Sequence, residues 1–200
     1  MKIAVIGAGN IGGTLGVKWA NAGHDVCFGV RRESDQLQQR LDESGGKARS
    51  ASIEQSIAQS DLVLLALPGK AMPEFVQQHG AKLSGKTVID ASNRMDQAQK
   101  HTIPALQSAA PSADVYRAFN NLGWEVFANP KFGGEVATGF FCGPQNSSDI
   151  SGLISDIGLT PRYLGDHGKL GLMDSLTALW FTLAYEQKGG RHLALKILHD

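Results

Sequence analysis

Gly7, Gly9, Gly12, Arg31 and Arg32 carry the first chemistry that this chain offers. The glycines stand in Gly7-Ala8-Gly9-Asn10-Ile11-Gly12, the spacing G-x-G-x-x-G, and Arg31-Arg32 follow about twenty residues on. Each glycine meets a separate need. Gly7 allows a tight turn out of a strand, and Gly9 lets backbone approach a pyrophosphate. Gly12 lets a helix pack close to a strand. The first N–H groups of a helix opening at Asn10 and Ile11 lack internal partners and lie at the positive end of its dipole. They offer an anion site that needs no basic side chain. An NAD site places Asp or Glu on the adenosine ribose at the end of the second strand. Here Arg31 and Arg32 can instead fork onto a 2′-phosphate and lie against adenine, with Ser34 adding a hydroxyl. These residues point to NADP(H).

The motif has meaning only if the right elements surround it. Residues 3–7 read as a short buried strand, 14–21 continue with helical character, and 25–30 form a second strand. The alternation continues with a helix over 33–43, a short strand over 48–52 and a helix over 53–59. Residues 61–67 are apolar almost throughout, as a parallel strand covered on both faces requires. A helix over 71–80 and a strand over 86–90 come next, then a turn of helix within 102–109. Strands over 114–119, 137–142 and 161–164 and a helix over 147–156 complete the pattern. Such alternation predicts an α/β fold with a doubly wound, mostly parallel sheet.

In such sheets ligands lie beyond the carboxyl ends of the strands. Besides the glycine loop, that rule selects residues 31–34, Ala66-Leu67-Pro68-Gly69, Ala91-Ser92-Asn93 and Asn120-Asn121. Farther on, Leu172, Leu176, Leu179, Trp180 and Leu183 recur at helical spacing and predict a helix whose apolar stripe packs on the sheet. The width of the stripe also allows a homodimer contact. The expected organisation is a dinucleotide-binding domain over 1–165 and a C-terminal helical segment over 166–200 packed on it.

Composition narrows the function. Lys plus Arg and Asp plus Glu both number 19, which argues against a nucleic-acid or anionic-membrane partner. No apolar run approaches the ~18 residues of a membrane span, and the first strand begins at residue 2, so a cytoplasmic protein is expected. Cys27 and Cys142 lie in apolar strands and read as buried reduced thiols. The histidines (24, 79, 101, 167, 192 and 199) lack metal-ligand spacing, and no metal site is expected. Asp166-His167 stands out, yet adjacent loop residues usually point apart, so no catalytic residue is assigned.

With these residues in view, the chain resembles the NADP oxidoreductases that use the deazaflavin coenzyme F420. It is also similar to the cytoplasmic oxidoreductase domain of STEAP-type metalloreductases. The likeness rests on Gly9-Asn10-Ile11-Gly12, Phe28-Gly29-Val30-Arg31-Arg32, residues 85–93, Arg117-Ala118-Phe119-Asn120 and residues 193–198. Two positions depart from the deazaflavin pattern. Val30 stands where the family often has Ser, and where deazaflavin enzymes can carry a His this chain has Asn120, as the metalloreductase domain does. The resemblance implies an NADP(H)-dependent enzyme that passes hydride to or from a small-molecule redox acceptor, with coenzyme F420, FMN or FAD as the second ligand. Ala66, Leu67 and Pro68 would lie under the nicotinamide ribose, Ala91, Ser92 and Asn93 would also bind the cofactor, and Asn120 and Asn121 would line the acceptor side. The competing expectation is an NADP(H)-binding sensor or partner module without turnover.

Overall fold

The computed structural model describes residues 1–198. The N-terminal half runs β1 (Lys2–Ile6), α1 (Asn10–Asn21), β2 (Asp25–Val30), α2 (Asp35–Glu43), β3 (Ala48–Ser52), α3 (Ile53–Ala58), β4 (Leu62–Leu65), α4 (Met72–His79) and β5 (Thr87–Asp90). The remainder runs α5 (Ile103–Ala109), β6 (Asp114–Ala118), α6 (Trp124–Ala128), β7 (Lys131–Phe132), β8 (Glu135–Val136), β9 (Thr138–Cys142), α7 (Ser148–Asp156), β10 (Thr160–Tyr163) and α8 (Leu170–Phe181). A π-helical turn, Thr182–Glu186, continues α8.

The sheet has eight strands in the order β10-β9-β6-β5-β4-β1-β2-β3. Strands β1 to β6 are parallel, and β9 joins β6 antiparallel. Strand β10 runs parallel to β9, so these last two strands point away from the edge where the others end. Alternation along β1 divides the core. Ile3 and Val5 pack with Leu15 and Trp19 of α1, Val126 of α6 and Leu153 of α7, whereas Ala4 and Ile6 pack with Ile57 of α3, Phe75 of α4 and Leu106 of α5. Helices therefore cover both faces, as the doubly wound expectation requires.

Local chemistry fixes the element ends. Ser52 closes a capping box with Gln55 at the start of α3, and Ser147 accepts from Ile150 N at the start of α7. Gly133 and Gly134, both with positive φ, turn the short β7–β8 hairpin, which the alternation pattern does not reveal. The strand expected over 61–67 ends at Leu65, because Ala66 and Leu67 already belong to the loop that leads to Pro68.

The C-terminal helix departs from expectation. Of the stripe Leu172, Leu176, Leu179, Trp180 and Leu183, only Trp180 is buried, and Leu172 and Leu179 are 48% and 44% exposed. The face turned inward is instead Met173, Thr177, Trp180 and, one turn beyond, Ala184. Buried polar groups set this rotation. Thr177 accepts a hydrogen bond from Asn120 Nδ2 at 2.8 Å, and Asp174 lies 3.7 Å from the buried Arg117 guanidinium. Turning the leucines inward would leave the Asn120 amide unpaired and take one of two carboxylates from the buried Arg117, which costs more than a few exposed methyl groups. Within the expected segment 166–200, residues 199 and 200, His199 among them, lie outside the described residues.

Candidate functional site

A cleft runs along the carboxyl ends of the parallel strands, and the glycine loop divides it. One half, about 630 Å³, is lined by Gly7, Gly9, Val30, Arg31, Arg32, Ser34, Gln36, Ile53 and Leu67. The other, about 410 Å³, is lined by Gly9, Asn10, Ile11, Ala66, Leu67, Pro68, Gly69, Ala91, Ser92, Asn93, Trp124 and Arg191. Gly7, Gly9 and Leu67 border both halves, so the two form one groove.

The glycines behave as their spacing predicts. Gly7 has φ +105°, and a Cβ there would stand 2.7 Å from the Ala66 carbonyl oxygen. A Cβ at Gly12 would stand 2.0 Å from the Gly7 carbonyl oxygen, so only glycine lets α1 seat on β1. Gly9 is the N-cap of α1 and faces open space, with nothing within 4 Å of where a Cβ would lie. No side chain caps α1 and its first turn has no acidic residue, so its leading N–H groups remain available to an anion in the groove.

At the far end of the first half, Arg31 and Arg32 are both exposed. Arg31 Nη1 lies 3.6 Å from Glu74 Oε1, an open pair that bound phosphate can readily displace. Ser34 is the N-cap of α2, its oxygen accepting from Leu37 N at 3.2 Å. Its hydroxyl hydrogen remains free to donate into the groove.

The loop after β5 is held from behind by a buried arginine. Arg117 of β6 has no solvent exposure and lies 3.6 Å from Asp90 and 3.7 Å from Asp174. Burial lowers its pKa while the two carboxylates raise it, so the flanking acids offset the cost of keeping the charge. Its Nη1 donates to the carbonyl oxygens of Asp90, at 3.1 Å, and Ser92, and its Nη2 donates to Asn93 Oδ1 at 2.7 Å. Asp90 Oδ1 accepts from the N and Oγ of Ser92 at 2.9 and 2.6 Å, and its Oδ2 accepts from Thr102 N at 2.9 Å. The loop that walls the second half is thus fixed by backbone and side-chain bonds together.

The expected acceptor residues occupy a different place. Asn120 and Asn121 are buried and do not line either half of the groove. Phe119, with φ 59° and its ring edge-on to Trp19 and Phe127, turns the chain inward before them. Asn120 then accepts at its backbone oxygen from Asn93 Nδ2, at 2.7 Å, and gives its own Nδ2 to Thr177. Asn120 therefore supports Asn93 from behind, so Ala91, Ser92 and Asn93 are the loop residues that reach the groove.

Trp124 and Arg191 border the second half and did not emerge from the sequence. Trp124 opens the short helix α6 after Gly123, and Arg191 lies in Gly189-Gly190-Arg191-His192, which the sequence marks only as a helix break. Asp166 and His167, in contrast, do point apart. Asp166 caps the following turn, while His167 bonds the Val115 carbonyl oxygen at 2.8 Å and Gln107 at 3.2 Å. Cys27 and Cys142 are both buried free thiols, and burial pushes Cys142 up to about 11.

Comparison with known proteins bears on this groove. Residues 2–94 match the profile of the family described as NADP oxidoreductase, coenzyme F420-dependent, so the resemblance read from the sequence holds over the segment that builds the glycine loop, the arginine pair and the loop after β5. A protein from Arthrobacter sp. FB24, provisionally assigned as an F420-dependent NADP-reductase, has 25% identity and TM-score 0.82, with 100% of both chains covered. A hypothetical protein from Sinorhizobium meliloti has 28% identity and TM-score 0.70, over 100% of this chain and 96% of that one. Reductive aminase from Aspergillus terreus, solved in complex with NADPH and ethyl levulinate, shares the fold at 21% identity and TM-score 0.70, over 94% of this chain and 62% of that one. A glycerol-3-phosphate dehydrogenase [NAD(P)+] from Chlorobium phaeobacteroides is 30% identical over an alignment of 129 residues, with 54% of this chain and 39% of that protein covered. The chain thus spans well under two thirds of that curated relative. No helix among the described residues is long and apolar enough to cross a membrane.

Proposed function

We propose that this protein is an NADP(H)-dependent oxidoreductase that passes hydride between the nicotinamide and a deazaflavin or flavin acceptor. The observation that carries the reading is the two-part groove. It has exposed arginines at one end, bare helix N–H groups in the middle and a second chamber of about 410 Å³ beyond. A module that only held the nucleotide would use the second chamber for its nicotinamide half but would not need the further wall that Trp124 and Arg191 add.

The residues fit the cofactor. Gly9 leaves room for a pyrophosphate, and the leading N–H groups of α1 would bind it. Arg31, Arg32 and the Ser34 hydroxyl would take the 2′-phosphate, with the Arg31 plane free to lie on adenine. Ala66, Leu67, Pro68, Ala91, Ser92 and Asn93 would cradle the nicotinamide half. Bound NADPH would supply a hydride and become NADP⁺, and an oxidised acceptor ring would take up that hydride together with one solvent proton. The protein's share is orientation and dryness. Ile11, Ala66, Leu67, Pro68 and Trp124 give the chamber apolar walls, and the Arg117 network keeps Ser92 and Asn93 in place. No side chain needs to act as general acid or base in such a transfer.

Titration calorimetry with NADPH and NADH, followed by anaerobic mixing of NADPH with FMN, FAD or deazaflavin, tests the proposal. NADPH binding tighter than NADH, with reduction of one of these rings, supports it. NADPH binding with no ring reduced would favour a non-catalytic binding module, and no nucleotide binding would overturn the reading at the glycine loop.

A further inference from the structure

Trp124 and Arg191 take no part in holding NADP(H) in the reading above, yet both wall the second chamber. Among its described lining residues, Trp124 is the sole aromatic and Arg191 the sole charged side chain. They come from distant parts of the chain. Trp124 follows β6, and Arg191 lies on the irregular segment beyond α8.

That segment is fixed rather than loosely draped. Trp180 Nε1 donates to Leu193 O at 2.9 Å, Thr138 N donates to Leu195 O at 2.9 Å, and His192 Nε2 bonds Asn129 O at 2.8 Å. Arg191 is oriented in turn. Its Nε donates to Glu125 Oε1 at 2.6 Å and its Nη1 donates to the Tyr185 hydroxyl. The guanidinium carbon lies 5.8 Å from the Trp180 ring centre and 5.7 Å from that of Tyr185. The Glu125 bond raises the Arg191 pKa, so the group is cationic throughout the working range. Its Nη2 has no hydrogen-bond partner among the described residues, and the side chain is 39% exposed. Glu125 neutralises the pair as a whole. Recognition there depends on short, directed N–H bonds, not on long-range attraction.

A flat apolar wall beside a half-exposed, pre-oriented guanidinium suits a ligand with an aromatic ring at one end and an oxyanion at the other. We infer that Trp124 and Arg191 form the acceptor subsite, the ring lying toward the indole and a phosphate on the acceptor's side chain meeting Arg191 at the mouth. This inference rests on the hydride-transfer reading given above. It makes Arg191 the residue that distinguishes phosphorylated from unphosphorylated forms of the same ring.

FMN and riboflavin share a ring and differ in the phosphate, so the pair isolates the Arg191 contribution. Initial rates are measured at saturating NADPH over a range of each flavin, for wild type, Arg191→Ala and Arg191→Lys, with an NADPH titration on each protein to show that the groove is folded. Wild type is expected to favour FMN over riboflavin by about tenfold in kcat/KM, the size of one charge-assisted hydrogen bond. The Ala variant is expected to bring that ratio toward one, mainly through KM for FMN, and the Lys variant to restore part of it. Equal use of both flavins by wild type, or a ratio unchanged in Arg191→Ala, overturns the inference while leaving the NADP(H) reading intact. NADPH binding without reduction of either flavin overturns the acceptor subsite. Failure to bind NADPH overturns both.

Discussion

Single residues divide between those that touch the groove and those that keep it in shape. Arg31 is exposed and, among the described residues, held by one open ion pair, so its loss costs the fold little. Arg31→Ala is expected to weaken NADPH by about tenfold or more and NADH by less than about threefold, since only the former has a 2′-phosphate for the fork; calorimetry with both nucleotides reads the difference, and equal weakening would move Arg31 to a purely adenine-facing role. Cys142 lies at the other extreme. Burial pushes its thiol up to about 11, so at neutral pH it is a protonated, enclosed group. A thiol reagent at pH 7.5 is expected to leave Cys142 unmodified in the native protein and to label it once denaturant unfolds the chain, as peptide mass analysis would report. The buried imidazoles of His79 and His101 give a pH dependence. Desolvation holds both below the ordinary histidine value. The unfolded chain then takes up protons that the native protein refuses, so their share of stability is complete above about pH 6.5 and declines as pH falls below it. Denaturant midpoints are expected to be level from pH 7 to 8 and to drop toward pH 5, with a shallower drop in His101→Gln.

At the scale of elements, the glycine loop separates two kinds of constraint that sequence spacing alone cannot tell apart. Gly12 is where helix meets strand, and a Cβ there would collide with the Gly7 carbonyl oxygen at 2.0 Å. Gly9 faces empty space. Gly12→Ala is therefore expected to lower stability by about 1–3 kcal/mol through overpacking and to lose nucleotide binding as the start of α1 shifts. Gly9→Ala is expected to keep its melting temperature within about 2 °C, because exposed sites away from packing are nearly neutral, yet to lose NADPH affinity. Thermal melts and NADPH titrations on the two variants separate the cases, and matching melts would contradict this division. The C-terminal helix is set by polar groups in the same way. Thr177 accepts from Asn120 Nδ2 and donates to Met173 O at 3.1 Å. Thr177→Val would bury an unpaired amide, an expected loss of about 1–3 kcal/mol in unfolding free energy. No change in that measurement would mean that α8 is not oriented by Thr177.

Across the whole molecule, what the sequence revealed follows the separation of contacts along the chain. The glycine turn, the arginine pair and the alternating strands depend on neighbours in sequence, so residues 7–12, 31–34, 66–68 and 91–93 could be assigned from their types and spacing, and all of them border the groove except Glu33 and Gly12, which packs α1 on β1. The second chamber depends on contacts between distant segments. Arg191 meets Glu125 across the intervening strands β7 to β10 and helices α7 and α8, and nothing local in Gly189-Gly190-Arg191-His192 signals a partner there. Asn120 and Asn121 were legible as loop residues but not as buried ones, because their direction depends on the positive φ at Phe119 and on Thr177 far down the chain. The rotation of α8 was misjudged for the same reason, since hydrophobic periodicity carries no record of a buried arginine awaiting an aspartate.

The reversal of β9 and β10 has a consequence in time. Because these strands point away from the groove, α8 must travel back beside β6, from His167 near Val115 to Thr177 near Asn120, before Arg191 arrives at the chamber. As the chain leaves the ribosome, every residue that borders the arginine end and the glycine loop has emerged by Asn93, whereas Arg191 follows after roughly another hundred residues, on the order of ten seconds of translation. The nascent chain therefore exposes its nucleotide-facing residues before the wall that would receive an electron acceptor exists.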